Sequence, residues 1–540
     1  MLVPTFAVAR PLGPNCLLMP ANNAAPPLTA PPTARWGLGL ALLVVLVLRL
    51  WHLFANGLPD YDSVRNWQLV QELAHGDGHS MFFTAGPGFN LVFALLACVT
   101  SDVRVFQVAN ALLGVAGLGL FARFVGQAVA ASGRPWRNAE AAALVLLGGT
   151  GLLLTFSGRD FTAGAGGLVL AAGLLRSHFR RVQAGPLAGR QAALQQAAWW
   201  LAAGLCYSYK FLLVLPILGA LEGWRADWPA WRGAVKWQVL GRLALPYVVL
   251  MAAGALLAGL PWYRWLATYV RLVLPDAPNP AGRQLVLSPD FFFYFRYLWA
   301  FESPLLLPGL AAGAWLGWRQ WRALPPGPAG RPLPLLLYLG IWAGCWLAGM
   351  ALLQKAPRGL TYAFLPLAAL AVLSLRHLPG RWWGPGAAVL LAALALNGYR
   401  LWQHLYRYPP SHYPAVAAWL RSHGARRVAS TVGLGLAPYL LIKGEKFTSI
   451  TNERQLGALR RQGYDYVVLD AYWQVAHVAQ FDSLRRQPSL AAWPEARLTE
   501  PLLFLEHSEF TGLTYDQTLD WQREATQDSV QLRVYRLGPR

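Results

Sequence analysis

The sequence predicts an α-helical polytopic membrane protein that ends in a small extracytoplasmic α/β domain. Of its 540 residues, 55% are hydrophobic and only 13% are charged, which is about half the charged fraction of a soluble domain. The charges are unevenly placed, because residues 401–540 are much richer in them than the first 400. Long apolar stretches fill the first part instead. This pattern excludes a cytosolic globular enzyme, a disordered protein and a secreted disulfide scaffold.

The apolar stretches define a predicted transmembrane domain over residues 36–400. Residues 1–35 precede it and are rich in Pro, Ala and Asn, which predicts a disordered leader. The apolar stretches are close to the length that a helix needs to cross the roughly 30 Å hydrocarbon layer of a membrane. They cover 36–55, 85–100, 104–122, 139–157, 161–176, 195–222, 240–260, 292–318, 335–353, 359–376 and 383–399.

Basic residues set the predicted topology. The net charge of +21 would also suit nucleic acid, but the basic residues form short clusters between apolar stretches, as the positive-inside rule expects of cytoplasmic loops. No nucleic-acid partner is therefore expected. The N-terminus is placed in the cytoplasm and residues 401–540 outside a plasma (inner) membrane. The cytoplasmic clusters are Arg123, Arg134 and Arg137; Arg176, Arg180, Arg181 and Arg190; Arg225, Arg232, Lys236 and Arg242; Arg319, Arg322 and Arg331; and Arg376 with Arg381.

This topology constrains two regions of the chain. Of the neighbouring stretches 85–100 and 104–122, only one can span fully, and the shorter 85–100 is predicted to be interfacial or re-entrant. The stretch 195–222 must cross twice, with a tight external turn at Tyr207-Ser208-Tyr209-Lys210. About eleven transmembrane helices result.

The tail, residues 401–540, has the pattern of a small α/β domain. Val416–Ser422 and Gln455–Arg461 predict helices. Strands are expected at Arg427–Thr431, Tyr464–Leu469 and Val530–Arg536, where β-branched and alternating residues occur.

The first external loop, residues 56–84, is the predicted catalytic segment. It contains Asp60 and Asp62, two carboxylates just after the first apolar stretch. If a helix starts at Ser63, Asp62 is its N-cap and has a structural role. The alternative is that one carboxylate acts as a general base or as a ligand of a divalent metal ion on the external face.

Four basic residues are candidates to complement these acids. Lys210 lies in a turn within a long apolar stretch, where it either snorkels to the interface or binds an anion. Lys355 and Arg358 lie on the outside against the positive-inside bias, which favours either an anionic lipid phosphate or an ion pair with the first loop. Arg264 follows a Pro-Trp-Tyr sequence, so anchoring in the aromatic belt explains it nearly as well.

A bound metal has little support in the residue spacing. The four cysteines have no metal-ligand spacing, and the histidines near the first-loop acids match no zinc signature.

Several weak motifs in a fixed order carry a resemblance to a known family. They are the acidic first loop, Thr84-Ala85-Gly86-Pro87-Gly88-Phe89-Asn90, Ser101-Asp102-Val103-Arg104, Asn110-Ala111-Leu112-Leu113-Gly114, Ser208-Tyr209-Lys210-Phe211, and Lys355-Ala356-Pro357-Arg358 before Pro366. Over about residues 36–400 the sequence resembles the GT-C superfamily of integral-membrane glycosyltransferases. Within it, the sequence is most similar to glycosyltransferase family 39, the protein O-mannosyltransferases and lipid A aminoarabinose transferases.

This resemblance implies a sugar donor linked to a polyprenyl phosphate and an acceptor hydroxyl of a protein, lipid or glycan on the external face. Asp62, ranked ahead of Asp60, would be the general base of an inverting transfer. Lys210, Lys355, Arg358 and Arg264 would offset the charge on the lipid phosphate. The alternative function is a transporter or flippase of lipid-linked glycans, although the sequence shows no internal repeat.

Overall fold

The structure of the chain, a computed structural model, covers most of the sequence. It describes residues 32–56, 61–82, 86–133, 135–183, 185–225, 227–267, 290–325, 331–353, 355–431, 435–440, 446–450, 452–470, 475, 481–527 and 530–537. The predicted leader, residues 1–35, lies outside these ranges except for 32–35, which begin the first helix.

Helices make up nearly all of the described chain up to Leu401, as the apolar stretches predict. They are α1 (Pro32–Leu50), α2 (Tyr61–Ala74), α3 (Pro87–Ala97), α4 (Val103–Ala131), α5 (Asn138–Gly149), α6 (Leu152–Arg159), α7 (Ala163–Val182), α8 (Leu187–Tyr207), α9 (Val214–Arg225), α10 (Ala234–Ala258), α11 (Phe293–Phe301), α12 (Leu306–Ala323), α13 (Leu335–Leu352), α14 (Thr361–Arg376) and α15 (Trp383–Leu401).

Four helical segments among the described residues are long and apolar enough to cross a membrane. They are α4, α10, α13 and Pro357–Arg376, and the bent pair α5–α6 would make a fifth. The predicted number of eleven is not confirmed by this criterion. The 11-residue α3 is only about 16 Å long at 1.5 Å per residue, which agrees with the prediction that 85–100 does not span.

Two stretches predicted as single spans are broken. Residues 139–157 form α5 and α6, which meet at a 68° bend, and 292–318 form α11 and α12. The two breaks are coupled, because the buried carboxylate of Glu302 accepts hydrogen bonds from the amides of Leu152 and Leu153 at 3.0 and 2.7 Å. A carboxylate at a helix N-terminus satisfies amides that have no partner inside the helix.

The stretch 195–222 reverses direction where the sequence predicts a turn. Helix α8 ends at Tyr207, a 3-10 turn covers Tyr209–Leu213, and α9 then begins. At the far end of α9, Arg225 donates to the carbonyl of Gln183, which directly follows α7. Helices α8 and α9 therefore form a hairpin.

The helical part has two chemically different ends. At one end of α7, the Ala163 carbonyl accepts a hydrogen bond from Tyr362 at the start of α14. At the other end, Arg181 forms a 2.7 Å ion pair with Asp227 among the predicted cytoplasmic clusters. The 20 residues of α7 separate these ends by about 30 Å, the thickness of a hydrocarbon layer.

The tail contains one five-stranded sheet, in the order β2-β1-β3-β5-β4. Strands β2, β1 and β3 are parallel, and β5 is antiparallel to both β3 and β4. The sequence predicts three of the strands and two of the helices, but neither β2 nor β4. The elements are α16 (Tyr413–Ser422), β1 (Arg427–Ser430), α17 (Ala437–Leu440), β2 (Lys446–Ser449), α18 (Leu456–Arg461), β3 (Tyr466–Leu469), α19 (Asp482–Arg485), β4 (Ala491–Pro494), α20 (Pro501–Glu506), α21 (Ser508–Thr511), α22 (Tyr515–Ala525) and β5 (Gln531–Arg536).

The tail packs directly onto the helical part in two places. Ala437 of α17 joins a buried cluster with Val64 and Trp67 of α2. Leu502 and Leu505 of α20 belong to the main hydrophobic core of the helices. These contacts bring the tail to the end of the helical part where α2 and α14 begin.

Candidate active site

An ion pair joins the first predicted external loop to the turn that precedes α14. Nη1 of Arg358 lies 2.8 Å from Oδ2 of Asp62. The Arg358 side chain is 12% exposed and that of Asp62 is 33% exposed, so the pair lies at the edge of the buried interior. Of the two interpretations of Arg358, the ion pair with the first loop is therefore present in this structure.

Asp62 lies in the first turn of α2, which begins at Tyr61. The condition for the N-cap interpretation, a helix that starts at Ser63, is not met, because α2 already includes Tyr61 and Asp62. The hydroxyl of Ser63 accepts a hydrogen bond from the amide of Phe161 at 2.9 Å, and the Asn66 side chain donates to the Phe161 carbonyl at 3.0 Å. These two buried bonds fix α2 and thereby position the Asp62 carboxylate.

Arg358 is carried by a short 3-10 turn, Pro357–Leu360, packed against α13. The indole of Trp346 donates to the carbonyl of Gly359 at 2.8 Å. A side chain at Gly359 would collide with Met350 and would come within 2.9 Å of the Tyr294 hydroxyl. The turn is thus held closely by its surroundings and gives the guanidinium a defined origin.

Lys210 reaches the same turn from the α8–α9 hairpin. Its Nζ donates to the carbonyl of Arg358 at 2.8 Å, and the hydroxyl of Thr361 donates to that same oxygen at 2.6 Å. The positive charge of Lys210 therefore lies beside Arg358. The predicted turn at 207–210 places this lysine at the site because α8 ends there.

The tail adds a carboxylate that the sequence analysis does not identify. Glu506, the last residue of α20, accepts hydrogen bonds from the amide of Arg358 at 3.0 and 3.3 Å. One of its oxygens also lies 3.6 Å from Nε of Arg358, and its side chain is fully buried. The sequence feature that could have indicated it is the apolar run Leu502–Leu505 in a polar tail. Such a run indicates a helix that packs against another part of the protein.

Two carboxylates and two cations thus meet around one turn, although they come from four distant parts of the sequence. Such a cluster offers two kinds of chemistry. A half-exposed carboxylate can accept a proton, and an arginine with a nearby lysine can bind a phosphate. Three of the predicted site residues, Asp62, Lys210 and Arg358, are brought together here.

Lys355 has a different environment, three residues before Arg358. Its Nζ donates to the carbonyls of Ala351 and Leu353, both at 2.6 Å, and to that of Met350 at 3.4 Å. These are carbonyls at the end of α13, which a lysine commonly satisfies. Burial lowers the pKa of Lys355 to about 8, with the charge of Asp290 acting in the opposite direction. In this structure Lys355 is a helix cap, and its role in phosphate binding stays a prediction.

The remaining predicted residues are less fully placed. Asp60 lies outside the described residues. Arg264 is half-buried and directly follows the exposed turn after α10, next to Trp265, which packs with Phe82 and Cys206. It is therefore close to the end of α8, where the chain continues to Lys210.

A metal ion is a weak fit to the described part of the site. No group of three or more His, Cys, Asp or Glu side chains in the described ranges could hold a metal. The two carboxylates at the site, Asp62 and Glu506, both face the Arg358 guanidinium. In the structure, Arg358 is therefore the cation that directly faces both carboxylates.

Comparison with solved structures assigns the fold. The chain is similar to the archaeal oligosaccharyltransferase AglB from Archaeoglobus fulgidus in complex with an inhibitory peptide and a dolichol phosphate. The TM-score is 0.55 at 13% identity, over 83% of this chain and 71% of that one. A second AglB structure, tethered to an acceptor peptide, gives a TM-score of 0.52 at 14% identity over the same shares of both chains. The chain has the GT-C fold.

Other comparisons add less to this assignment. ArnT from Cupriavidus metallidurans bound to undecaprenyl phosphate aligns over 91% of this chain and 78% of that one at 15% identity, with a TM-score of 0.47. No protein-family model and no curated protein matches the sequence. The evidence for the GT-C fold is therefore structural.

The GT-C fold here also contains an apolar cavity of about 200 Å³ beside the charged cluster. It is partly open and lies between α9 and α13. Two of its lining residues lead to the site, because Leu213 closes the 3-10 turn that contains Lys210 and Trp346 is bonded to Gly359. The other lining residues are Pro216, Ile217, Cys345 and Gly349.

Proposed function

We propose that this protein is a membrane glycosyltransferase that moves a sugar from a polyprenyl-phosphate donor to an acceptor hydroxyl. The observation that carries the proposal is the contact between Asp62 and Arg358, with Lys210 beside it, in a GT-C fold. The AglB structure that matches this fold holds a dolichol phosphate, which supports a lipid-phosphate donor here.

The residues divide the chemistry between them. The acceptor oxygen attacks the anomeric carbon of the donor, and the bond from that carbon to the phosphate oxygen breaks. The bonding electron pair leaves with the lipid phosphate, whose added charge is offset by Arg358 and Lys210. Asp62 accepts the proton from the acceptor hydroxyl. Attack from the side opposite the leaving group inverts the anomeric centre.

The cavity between α9 and α13 suits the lipid part of such a donor. Its lining residues are aliphatic or aromatic apart from Cys345, and it lies beside the proposed phosphate-binding residues. The isoprene units next to the phosphate, when bound in this cavity of about 200 Å³, would leave the phosphate close to Lys210 and Arg358. The donor would then bind through its chain and its head group at adjacent places.

The two ends of the helical part suggest an orientation in the membrane. Arg181 and its neighbours lie about 30 Å from the site along α7, and arginine-rich loops favour the cytoplasm. We therefore place the site and the tail domain, residues 401–540, on the external face of the plasma membrane and the N-terminus in the cytoplasm. The transmembrane domain, residues 36–400, would present its first loop to the acceptor.

The test is consumption of the donor by the purified protein. Polyprenyl-phosphate sugars are incubated with the protein in detergent micelles, and hydrolysis or transfer is followed by chromatography of the labelled sugar. Asp62→Asn should lower turnover about 10²- to 10⁴-fold. The control, Asp520→Asn, removes a 66% exposed carboxylate of α22 and should keep wild-type turnover. A flippase would move such lipids between leaflets and leave the sugar–phosphate bond intact, so an absence of turnover with every donor would contradict the proposal.

A further inference from the structure

Arg358 is held from two sides that differ in burial. Glu506 is fully buried and contacts both the amide and Nε of Arg358. Asp62 is one-third exposed and contacts the terminal Nη1. The inner contact is thus made at the root of the guanidinium and the outer contact at its tip.

This arrangement allows one partner of Arg358 to be exchanged while the other stays. The guanidinium presents several N–H groups in a planar fork, which fits carboxylate and phosphate oxygens equally well. A phosphate that approaches from the exposed side meets Nη1, where Asp62 now lies. Glu506 can keep its hydrogen bonds to the backbone amide and its ionic contact with Nε during this exchange, because it approaches Arg358 from the tail.

We propose that the donor phosphate displaces Asp62 from Arg358, which Glu506 holds in place, so that donor binding releases the catalytic base. This inference rests on the proposed function and adds to it an order of events and a role for the tail. Asp62 is sequestered until the donor has bound. Glu506 is a positioning residue that acts through Arg358.

The chemical consequence concerns the basicity of Asp62. A carboxylate that accepts a charge-assisted hydrogen bond from an arginine is a poor base, because the bond stabilises its ionised form. When phosphate takes over Nη1, this stabilisation is lost and Asp62 can accept the proton of the acceptor hydroxyl. An acceptor that arrives without a donor therefore meets an inactive base.

Glu506 has the complementary task of keeping Arg358 where the phosphate will be. Without the inner carboxylate, the guanidinium would lose the contact at Nε that holds it on the side away from Asp62. The donor would then have to compete with Asp62 for an arginine whose side chain can move together with Asp62. Glu506 thus makes the exchange favourable to the donor.

The first test measures binding without turnover. Radiolabelled undecaprenyl phosphate is titrated into the purified full-length protein in micelles, and its Kd is compared between wild type and Asp62→Asn. Competition predicts a Kd about three- to fivefold lower in Asp62→Asn, since a partly exposed ion pair is worth up to roughly 1 kcal/mol, a factor of about five. An unchanged or higher Kd overturns the proposal.

A double-mutant cycle separates competition for Arg358 from general charge repulsion. In an Arg358→Gln background, Asp62→Asn should change the Kd less than twofold, because there is no guanidinium left to compete for. If the tighter binding persists in that background, Asp62 repels the phosphate through space and the exchange does not occur.

The second test concerns Glu506 and uses the steady-state parameters. Glu506→Gln keeps the size and an acceptor oxygen for the Arg358 amide, but removes the charge. It should raise the donor KM about tenfold and leave kcat within about threefold of wild type. Glu524→Gln, an exposed change in α22, should alter neither. An unchanged KM with a reduced kcat would show that Glu506 does not position Arg358 for the donor.

The outcomes distinguish this inference from the proposed function. If the wild-type protein turns over the donor but Asp62→Asn binds undecaprenyl phosphate with an unaltered Kd, the glycosyltransferase assignment stands and the exchange is ruled out. A wild-type protein that consumes none of the donors would remove the proposed function itself.

Discussion

Both oxygens of the Glu506 carboxylate lie within 3.3 Å of the Arg358 amide nitrogen. This contact joins the tail to the turn before α14 and buries a carboxylate beside a nearly buried arginine. Its strength can be measured independently of the reaction.

Removing the Arg358 side chain should destabilise the protein. Arg358→Ala leaves Glu506 fully buried without its charged partner, and an uncompensated buried charge costs about 3–5 kcal/mol. The melting temperature in micelles, followed by tryptophan fluorescence, should fall clearly. The double variant Arg358→Ala with Glu506→Gln should recover part of the loss, because the buried charge is then gone. A double variant no more stable than Arg358→Ala would contradict this account.

Shortening a buried side chain of α20 should lower the stability of the protein and weaken donor binding. Leu505 is fully buried in the main core and precedes Glu506, so Leu505→Ala should cost about 2–5 kcal/mol and also raise the donor KM. The matched control is Leu459→Ala, a buried leucine of α18 within the tail's own core. The control should lower the melting temperature without changing the donor KM. Equal effects on KM would mean that α20 does not position the site.

Cys345 offers a direct probe of the apolar cavity. It is exposed and lines the cavity between α9 and α13. In a variant that retains Cys345 as its one cysteine, undecaprenyl phosphate should slow labelling by a small maleimide at least several-fold, whereas inorganic phosphate should not. A matched variant that retains only Cys98, which is exposed at the end of α3, should label at the same rate with or without the lipid. Equal labelling of Cys345 in both conditions would place the lipid elsewhere.

The pKa of Lys355 predicts a pH dependence of stability. Burial lowers this pKa from 10.5 to about 8. Between these values the unfolded chain binds a proton that the folded chain has released, so the contribution of Lys355 to stability should rise with pH. Melting temperatures of wild type and Lys355→Met between pH 7 and pH 10.5 test this. The difference should shift in favour of wild type above pH 8, and a constant difference would contradict the assignment.

Much of the helical part could be predicted from sequence, because an apolar stretch in a membrane must satisfy its backbone internally and therefore forms a helix. The reversal at Ser208 is predicted by length and by the position of the basic clusters. The helix breaks at Gly151 and Glu302 were not predicted. They depend on the Glu302 carboxylate in one apolar stretch, which accepts hydrogen bonds from backbone amides in another.

Candidate site residues could be predicted from the sequence where a charged residue stands at the end of an apolar stretch. Asp62, Lys210 and Arg358 are conspicuous as charged residues at the predicted ends of apolar stretches, and the structure brings them together. The fate of Lys355 depends on how α13 ends, which the sequence pattern does not reveal. Glu506 lies in a charge-rich tail where one more acid carries no signal, and its importance arises only from the docking of α20.

The position of Glu506 along the polypeptide has a consequence for biosynthesis. Asp62, Lys210 and Arg358 are all translated well before Glu506. A nascent chain therefore contains the outer carboxylate that contacts Arg358 before it contains the inner one. The charged cluster reaches its final form only when the tail has been made and α20 has docked on the helices. Premature termination before residue 506 would thus yield a helical product in which Asp62 can still contact Arg358 but the inner carboxylate is missing.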